Sequence, residues 1–333
     1  MTEKHLQSLI SSLKKQDLDA STLADEGAAC VVKNFISTGS YVLDAIMGGG
    51  LPLGRVVEIY GDTSTGKSLI AAQACASIQK NGGIAVYIDT ETAVSTHIMH
   101  AVGVNVDELV YTAPDTVEDV FKTIEDILDN EDIEDVPILI VWDSIASTSS
   151  KAERDKATGE TGYLTQSRII SQGFRKDIAR ISKRKISLLL LNQTRTKIGV
   201  MFGDNVATFG GKAPGFYSSV RVELSVREPI KDDDKREVGI HIVAKVKKNK
   251  VAPPFREAKF PVYFGHGIRD YESILDFLKD YDVIEYSGGG WYKVTIDGEE
   301  EKFKSADWDT FCKERYEKLC ALVDGALESS DLL

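Results

Sequence analysis

Residues 61–68 read Gly61-Asp62-Thr63-Ser64-Thr65-Gly66-Lys67-Ser68, a full G-x-x-x-x-G-K-[ST] pattern. Glycines at these positions let main-chain N–H groups wrap a polyphosphate. Lys67 brings a mobile positive charge to the outer phosphates, and Ser68 offers a hydroxyl to Mg²⁺ at a helix N-terminus. With Leu69 opening that helix, Gly61–Leu69 is the expected seat of a nucleoside triphosphate, with ATP and Mg²⁺ as cofactors. The flanks give the pattern its context. Arg55–Tyr60 is a β-branched run, and residues 69–76 favour a helix that Asn81-Gly82-Gly83 stops.

Two further strands end in acids. Ile138–Asp143 is continuously apolar until Asp143, which would anchor Mg²⁺ together with Ser68. Ile84–Asp89 leads to Glu91, placed to orient and deprotonate an attacking water. Ile186–Leu191 delivers Asn192-Gln193, whose uncharged amides could report the γ-phosphate. A basic, glycine-containing segment, Thr194–Asn205, follows at once, so a phosphate sensor feeding a flexible loop is the expected switch.

The elements that would position these residues alternate. Strand Val56–Tyr60, helix 67–80, strand Ile84–Asp89, a helix around 115–129, strand Ile138–Asp143, helix 164–183 and strand Ile186–Leu191 predict a mostly parallel sheet covered by helices on both faces. Val220–Val226 and Val238–Val246 flank the charged turn 231–235 and predict an antiparallel hairpin on the sheet edge. Phe260–Phe264 is expected to close the core. Leu6, Leu9, Ile10 and Leu13 space an N-terminal amphipathic helix, followed by a short β-type run at Ala28–Val32. Beyond Gly267 the chain turns acidic, with a helix at 271–278, a Gly288-Gly289-Gly290 turn and a last helix over about 306–325. The chain therefore divides into residues 1–35, 36–268 and a small acidic α/β domain, 269–333.

With 333 residues, 42% hydrophobic and 28% charged, the composition is that of an ordinary globular protein. No run nears the roughly 20 apolar residues of a membrane helix. The opening Met1-Thr2-Glu3-Lys4-His5 lacks the pattern of a secretory signal, so the cytoplasm is expected. Cys30, Cys75, Cys312 and Cys320 are too scattered for a zinc site or a disulfide framework. The net charge of −12 argues against nucleic acid until it is divided along the chain. Residues 269–333 hold 17 Asp/Glu and 8 Lys/Arg, a net of −9, which leaves −3 for everything before them. Between Tyr163 and Val200 nine Lys/Arg face one acid, Asp177. Screening beyond about 8–10 Å lets such a basic stretch bind phosphates inside an acidic protein.

Three stretches carry a resemblance to a known family: Ile36–Ser40 with Leu51–Gly61, Asn192–Gly203 followed by Gly210-Gly211 and Phe216–Arg221, and Val246–Phe255. On these the chain resembles the RecA family of bacterial-type homologous recombinases, a family with phage-encoded members, over about residues 30–295. The resemblance implies a RecA-type P-loop ATPase core, a short N-terminal helix-strand polymerisation segment and a small α/β C-terminal domain. It implies that Lys67, Ser68 and Asp143 hold MgATP, that Glu91 activates water, and that Gln193 senses nucleotide. Lys248 and Lys250 match lysines that reach a neighbouring protomer's γ-phosphate. The family's DNA-binding loops fall on about 155–164 and 194–209. Tyr163, Arg168, Gln172, Arg175, Arg195, Lys197, Ile198, Gly199, Val200, Met201, Phe202, Gly210, Gly211 and Lys212 are then the expected DNA contacts. Ile98 and Ser95 depart from the family at the adenine site. The implied activity is DNA-dependent ATP hydrolysis by a helical filament on single-stranded DNA that pairs with homologous duplex. The rival reading is a RecA-fold ring ATPase, a helicase or a KaiC-like protein, without strand exchange.

Overall fold

The structure, a computed structural model, describes residues 3–16, 20–22, 31–155, 163–196 and 206–331. It forms two compact units, Met1–Asn34 and Phe35–Leu333. In the first, α1 (Glu3–Lys14) carries the expected amphipathic spacing with no fully buried residue, and Leu9 is exposed. Most of the expected strand Ala28–Val32 lies outside the described residues, and Val31 and Val32 belong to no strand.

The second unit opens with β1 (Phe35–Ile36) paired antiparallel to β2 (Leu51–Pro52). Between them lies α2 (Tyr41–Met47), N-capped by Ser40. Then β3 (Arg55–Gly61) runs through the phosphate loop into α3 (Lys67–Lys80). There follow β4 (Ile84–Asp89), α4 (Thr96–Ala101), β5 (Val110–Thr112), α5 (Val117–Asp129) and β6 (Ile138–Asp143). Next come α6 (Lys151–Arg154), α7 (Tyr163–Lys183), β7 (Ile186–Thr196), β8 (Val206–Thr208) and α8 (Ala213–Tyr217). The core ends with β9 (Val220–Lys231), β10 (Glu237–Asn249), β11 (Glu257–Tyr263) and β12 (Gly267–Ile268).

These strands form a 10-stranded sheet in the order β12-β11-β10-β9-β3-β7-β6-β4-β5, with β8 paired to β7 alone. The segment from β9 to β5 is parallel, and β10, β11 and β12 extend it antiparallel. Strand alternation explains why the runs read as continuously apolar. Ile138, Ile140 and Trp142 face α5 and α7 with Phe121 and Phe174, whereas Leu139 and Val141 pack with α3 residues Ile70, Ala71 and Ala74. Gly173 lets α5 and α7 approach, since a Cβ there would stand 2.5 Å from the Phe121 ring.

After β12 come α9 (Asp270–Asp280), β13 (Ile284–Gly288), β14 (Trp291–Ile296), β15 (Glu299–Lys304), α10 (Trp308–Glu314) and α11 (Tyr316–Asp331). The expected last helix is thus two helices, broken at Arg315, whose guanidinium bonds Glu301 and lies over Phe311. The acidic run Glu299–Lys304 forms an edge strand of a small antiparallel sheet, where charge on the free edge discourages further pairing. Residues from 269 onward form the expected small α/β domain, with its own three-stranded sheet, and pack against the core. Ile274, Phe277, Trp308 and Val323 belong to the same buried cluster as Val57, and Asp270 accepts the main-chain N–H of Tyr41 at 2.6 Å and the hydroxyl of Tyr316. Among the described residues no helix is long and apolar enough to cross a membrane.

Candidate functional site

The parallel strands β3, β4, β6 and β7 end at one edge of the sheet, and the residues that carry chemistry stand on their carboxyl tips. The phosphate loop needs two left-handed turns, at Ser64 (φ 61°) and Gly66 (φ 80°), before α3 begins. At Gly61 a Cβ would lie 2.3 Å from the Leu224 carbonyl on β9, so only glycine lets β3 run this close to its neighbour. Lys67 folds back across the loop and donates to the carbonyls of Gly61 at 3.0 Å and Asp62 at 2.6 Å. Burial lowers its pKa, while Asp143, Glu91 and Asp62 pull the other way. An ammonium held among carbonyls in a partly desolvated loop is a strong donor to phosphate oxygens.

On β6, Asp143 accepts a hydrogen bond from the Tyr87 hydroxyl at 2.7 Å. Burial raises its pKa, opposed by its hydrogen bonds with Tyr87 and Ser68 and reinforced by Glu91 and Asp89. The Ser68 hydroxyl and the Asp143 carboxylate therefore meet, as a hard cation's oxygen ligands must. Asp89 ends β4 and accepts the main-chain N–H groups of Glu91, Ala93 and Val94, a turn that presents Glu91 to the loop. Glu91 in turn accepts from the Ser144 hydroxyl and, at 3.4 Å, from the Gln193 side chain. Thr63–Leu69, Glu91, Asp143, Ser144 and Gln193 line one cleft of about 290 Å³. A second, more apolar cleft of about 290 Å³ shares Ser68, Leu69, Glu91 and Asp143 with it and continues to Ser95, Ile98, Met99 and Phe264. Phe264 is 55% exposed, so it faces this cleft instead of closing the core. Ser95 caps α4, accepting Ile98 N–H.

Asn192 and Gln193 divide their work. Asn192 is buried and donates to Glu58 at 2.9 Å and to the Phe209 carbonyl at 3.0 Å, while its oxygen accepts the N–H groups of Gln193 and Phe209. Only Gln193 faces the cleft. The strand predicted to end at Leu191 continues to Thr196, because Thr194, Arg195 and Thr196 pair with Thr208, Ala207 and Val206. The segment expected as the second DNA loop thus has a stem of paired β7 and β8, with Arg195 over the Phe209 ring at 3.5 Å. Its tip, with Lys197, Ile198, Gly199, Val200, Met201 and Phe202, lies outside the described residues. So does most of the first loop, and of Tyr163 only the backbone, opening α7, is described.

Arg168, Gln172 and Arg175 stand exposed on one face of α7, opposite buried Ile170 and Phe174. Much of the remaining basic stretch serves the fold. Lys176 pairs with Glu125, Arg180 with Asp129 and Asp177, Lys185 with Asp135, and Arg184 donates to the carbonyls of Leu128 and Asn130. Gly210 and Gly211 take positive φ and let the chain turn closely under α7 before exposed Lys212 and α8; a Cβ on Gly211 would sit 3.0 Å from the Ser167 hydroxyl.

Lys248 lies near the end of β10 and Lys250 just beyond it, away from their own phosphate loop. Lys248 pairs in register with Arg221, whereas Gly61 pairs with Leu224. Lys248 donates to the carbonyls of Gly215 at 2.8 Å and Phe216 at 2.9 Å, at the end of α8. Burial, together with Lys250 and Arg221, lowers its pKa to about 8. Sequence reading missed Tyr87, Ser144 and Phe264; each sits on a strand or turn that looks structural, and only the sheet register brings it to the cleft.

A glycine-rich loop joining a buried parallel strand to a helix, with acid-tipped strands beside it, defines a P-loop nucleotide-binding protein of the doubly wound α/β class. The sequence profile of the RecA N-terminal domain matches residues 4–269. Proteins named "Protein RecA" from Clostridioides difficile and Trichodesmium erythraeum are 39% and 38% identical over 290 residues, 87% of this chain and 82% and 79% of theirs. The one from Borrelia hermsii is 40% identical over 287 residues, 85% of this chain and 79% of its own. The chain belongs to the RecA family.

Proposed function

We propose that this protein is a DNA-dependent ATPase that assembles on single-stranded DNA into a helical filament and carries out homologous pairing and strand exchange in recombination and repair. The observation that carries the reading is the continuity of β7. Gln193 lines the nucleotide cleft and Arg195, two residues on, stands in the hairpin stem, so a change at the phosphates has no slack before it reaches the DNA loop. A ring ATPase needs the cleft but has no use for this basic hairpin.

The residues divide the work as follows. The N–H groups and Lys67 of Gly61–Leu69 hold the triphosphate of ATP. Ser68 and Asp143 would hold Mg²⁺, which when bound neutralises phosphate charge. Glu91 orients the attacking water and takes its proton, with Ser144 and Gln193 fixing the carboxylate until the γ-phosphate claims Gln193. The nucleobase lies in the apolar cleft against Ile98 and Phe264. Lys248 and Lys250 of one protomer complete the site of the next, supplying positive charge to the transition state in trans. Arg168, Gln172, Arg175, Lys212 and the hairpin from Arg195 hold the DNA backbone, leaving base edges free to pair. Residues 1–35 act as the polymerisation segment, 36–268 as the ATPase and DNA-binding core, and 269–333 as an acidic C-terminal domain. Such a protein works where the DNA is, in the bacterial cytoplasm.

Electron microscopy with ATP and single-stranded DNA, run beside an ATPase assay, tests the proposal. Helical filaments and DNA-stimulated hydrolysis are expected. Closed rings, or hydrolysis indifferent to DNA, overturn it.

A further inference from the structure

The ladder between β3 and β7 ends with Gly61 beside Gln193. One residue further along each parallel strand, Asp62 of the phosphate loop meets Thr194 at the foot of the β7–β8 hairpin, and the Thr194 hydroxyl donates to the Asp62 carboxylate. Asp62 is held on its other side as well. Its main-chain carbonyl accepts Lys67 and, at 2.9 Å, the Thr65 hydroxyl. A carboxylate inside an anion-binding loop is unfavourable beside a polyphosphate unless it is aimed elsewhere. Thr194 aims it at the hairpin.

We propose that the Asp62–Thr194 hydrogen bond is a positioning contact that couples occupation of the phosphate loop to the placement of the DNA-binding hairpin, alongside Gln193. The coupling rests on the functional reading above, and the chemistry is local. When Lys67 turns to phosphate it gives up the Asp62 carbonyl, and phosphate charge repels the Asp62 carboxylate. Both changes act on the same residue, and its side chain is bonded to the hairpin. The hairpin responds as a unit because Thr194 is itself paired to Thr208 across the stem.

The test uses the full chain and a fluorescein-labelled dT oligonucleotide, whose affinity is measured by anisotropy with ATPγS and with ADP at one salt concentration. The ratio of the two affinities reads the coupling. Thr194→Val and Asp62→Ala are expected to reduce that ratio about fivefold, within the usual range of such couplings. Thr194→Ser, which keeps the hydroxyl, should restore it, and Asp62→Asn, which keeps an acceptor oxygen but not the charge, should restore part of it, with unchanged far-UV circular dichroism throughout. Full coupling in Thr194→Val overturns the inference, and so does equal loss in Thr194→Ser, which would assign the effect to packing. A wild-type ratio of one overturns the underlying functional reading instead.

Discussion

Replacing Glu58 by alanine should destabilise this protein more than any single change at its surface. Glu58 is 0% exposed, Arg221 on β9 is 22% exposed, and the Arg221 guanidinium bonds the carboxylate and lies over the Tyr60 ring at 4.6 Å. The second oxygen of Glu58 takes the Asn192 amide at 2.9 Å. Alanine leaves a partly buried cation and a buried donor without their shared partner, and breaking such a pair costs about 3–5 kcal/mol. At roughly 2 °C per kcal/mol for a chain of this size, the melting midpoint should fall by about 6–10 °C. Glu58→Gln keeps one acceptor but turns an N–H₂ group toward a donor, so about 1–3 kcal/mol is expected. Urea unfolding followed by circular dichroism measures both, with the slope checked for constancy. The decisive arm is the cycle with Arg221→Met. Removing the cation as well should recover part of the Glu58→Ala loss, because the penalty comes from the stranded charge. A Glu58→Ala cost below about 1 kcal/mol, or strict additivity with Arg221→Met, would refute the reasoning.

Lys67→Ala should abolish ATP turnover while leaving the fold intact, and normal rates in a phosphate-release assay would contradict the site. Lys248 has a pKa lowered to about 8, so it is charged below that pH and neutral above it. Any contribution of its charge to ATP-driven assembly must therefore be full below about pH 8 and decline as pH rises above it; light scattering should show the decline beginning there, and Lys248→Arg should move it to higher pH. The same shift implies that folding stability gains slightly between about pH 8 and the ordinary lysine range, since the unfolded chain binds the extra proton there. Gly61→Ala would drive a Cβ into the Leu224 carbonyl at 2.3 Å and should displace the loop, raising the KM for ATP at least tenfold; an unchanged KM would show that β3 and β9 give way freely.

The legible parts of this molecule were those written in consecutive residues. The phosphate loop, the acids Asp143 and Glu91 at or just past strand ends, Gln193 beside them and the exposed line Arg168, Gln172 and Arg175 all follow from local pattern and period, because a strand end or a helix face is a local property. What depends on register was not legible. Tyr87 reaches Asp143, and Asp62 reaches Thr194, only because β4, β6, β3 and β7 pair as they do. The strand at Glu299–Lys304 was hidden by its composition, for glutamates disfavour strands until an edge position and a buried Phe303 outweigh them. The acidity of the C-terminal segment marked out the small domain, but not that its apolar face is shared with the core.

Lys248 holds carbonyls at the end of α8, the short helix that follows the β7–β8 hairpin and exposes the Phe216 ring. Two of that amine's three N–H donors are spent on those carbonyls, so under the proposed role in trans a neighbour's phosphate would draw on the same group. On that proposal a protomer inside a filament and the one at its open end would differ in how α8 is finished. Each filament would then carry a chemical mark of its own growing tip.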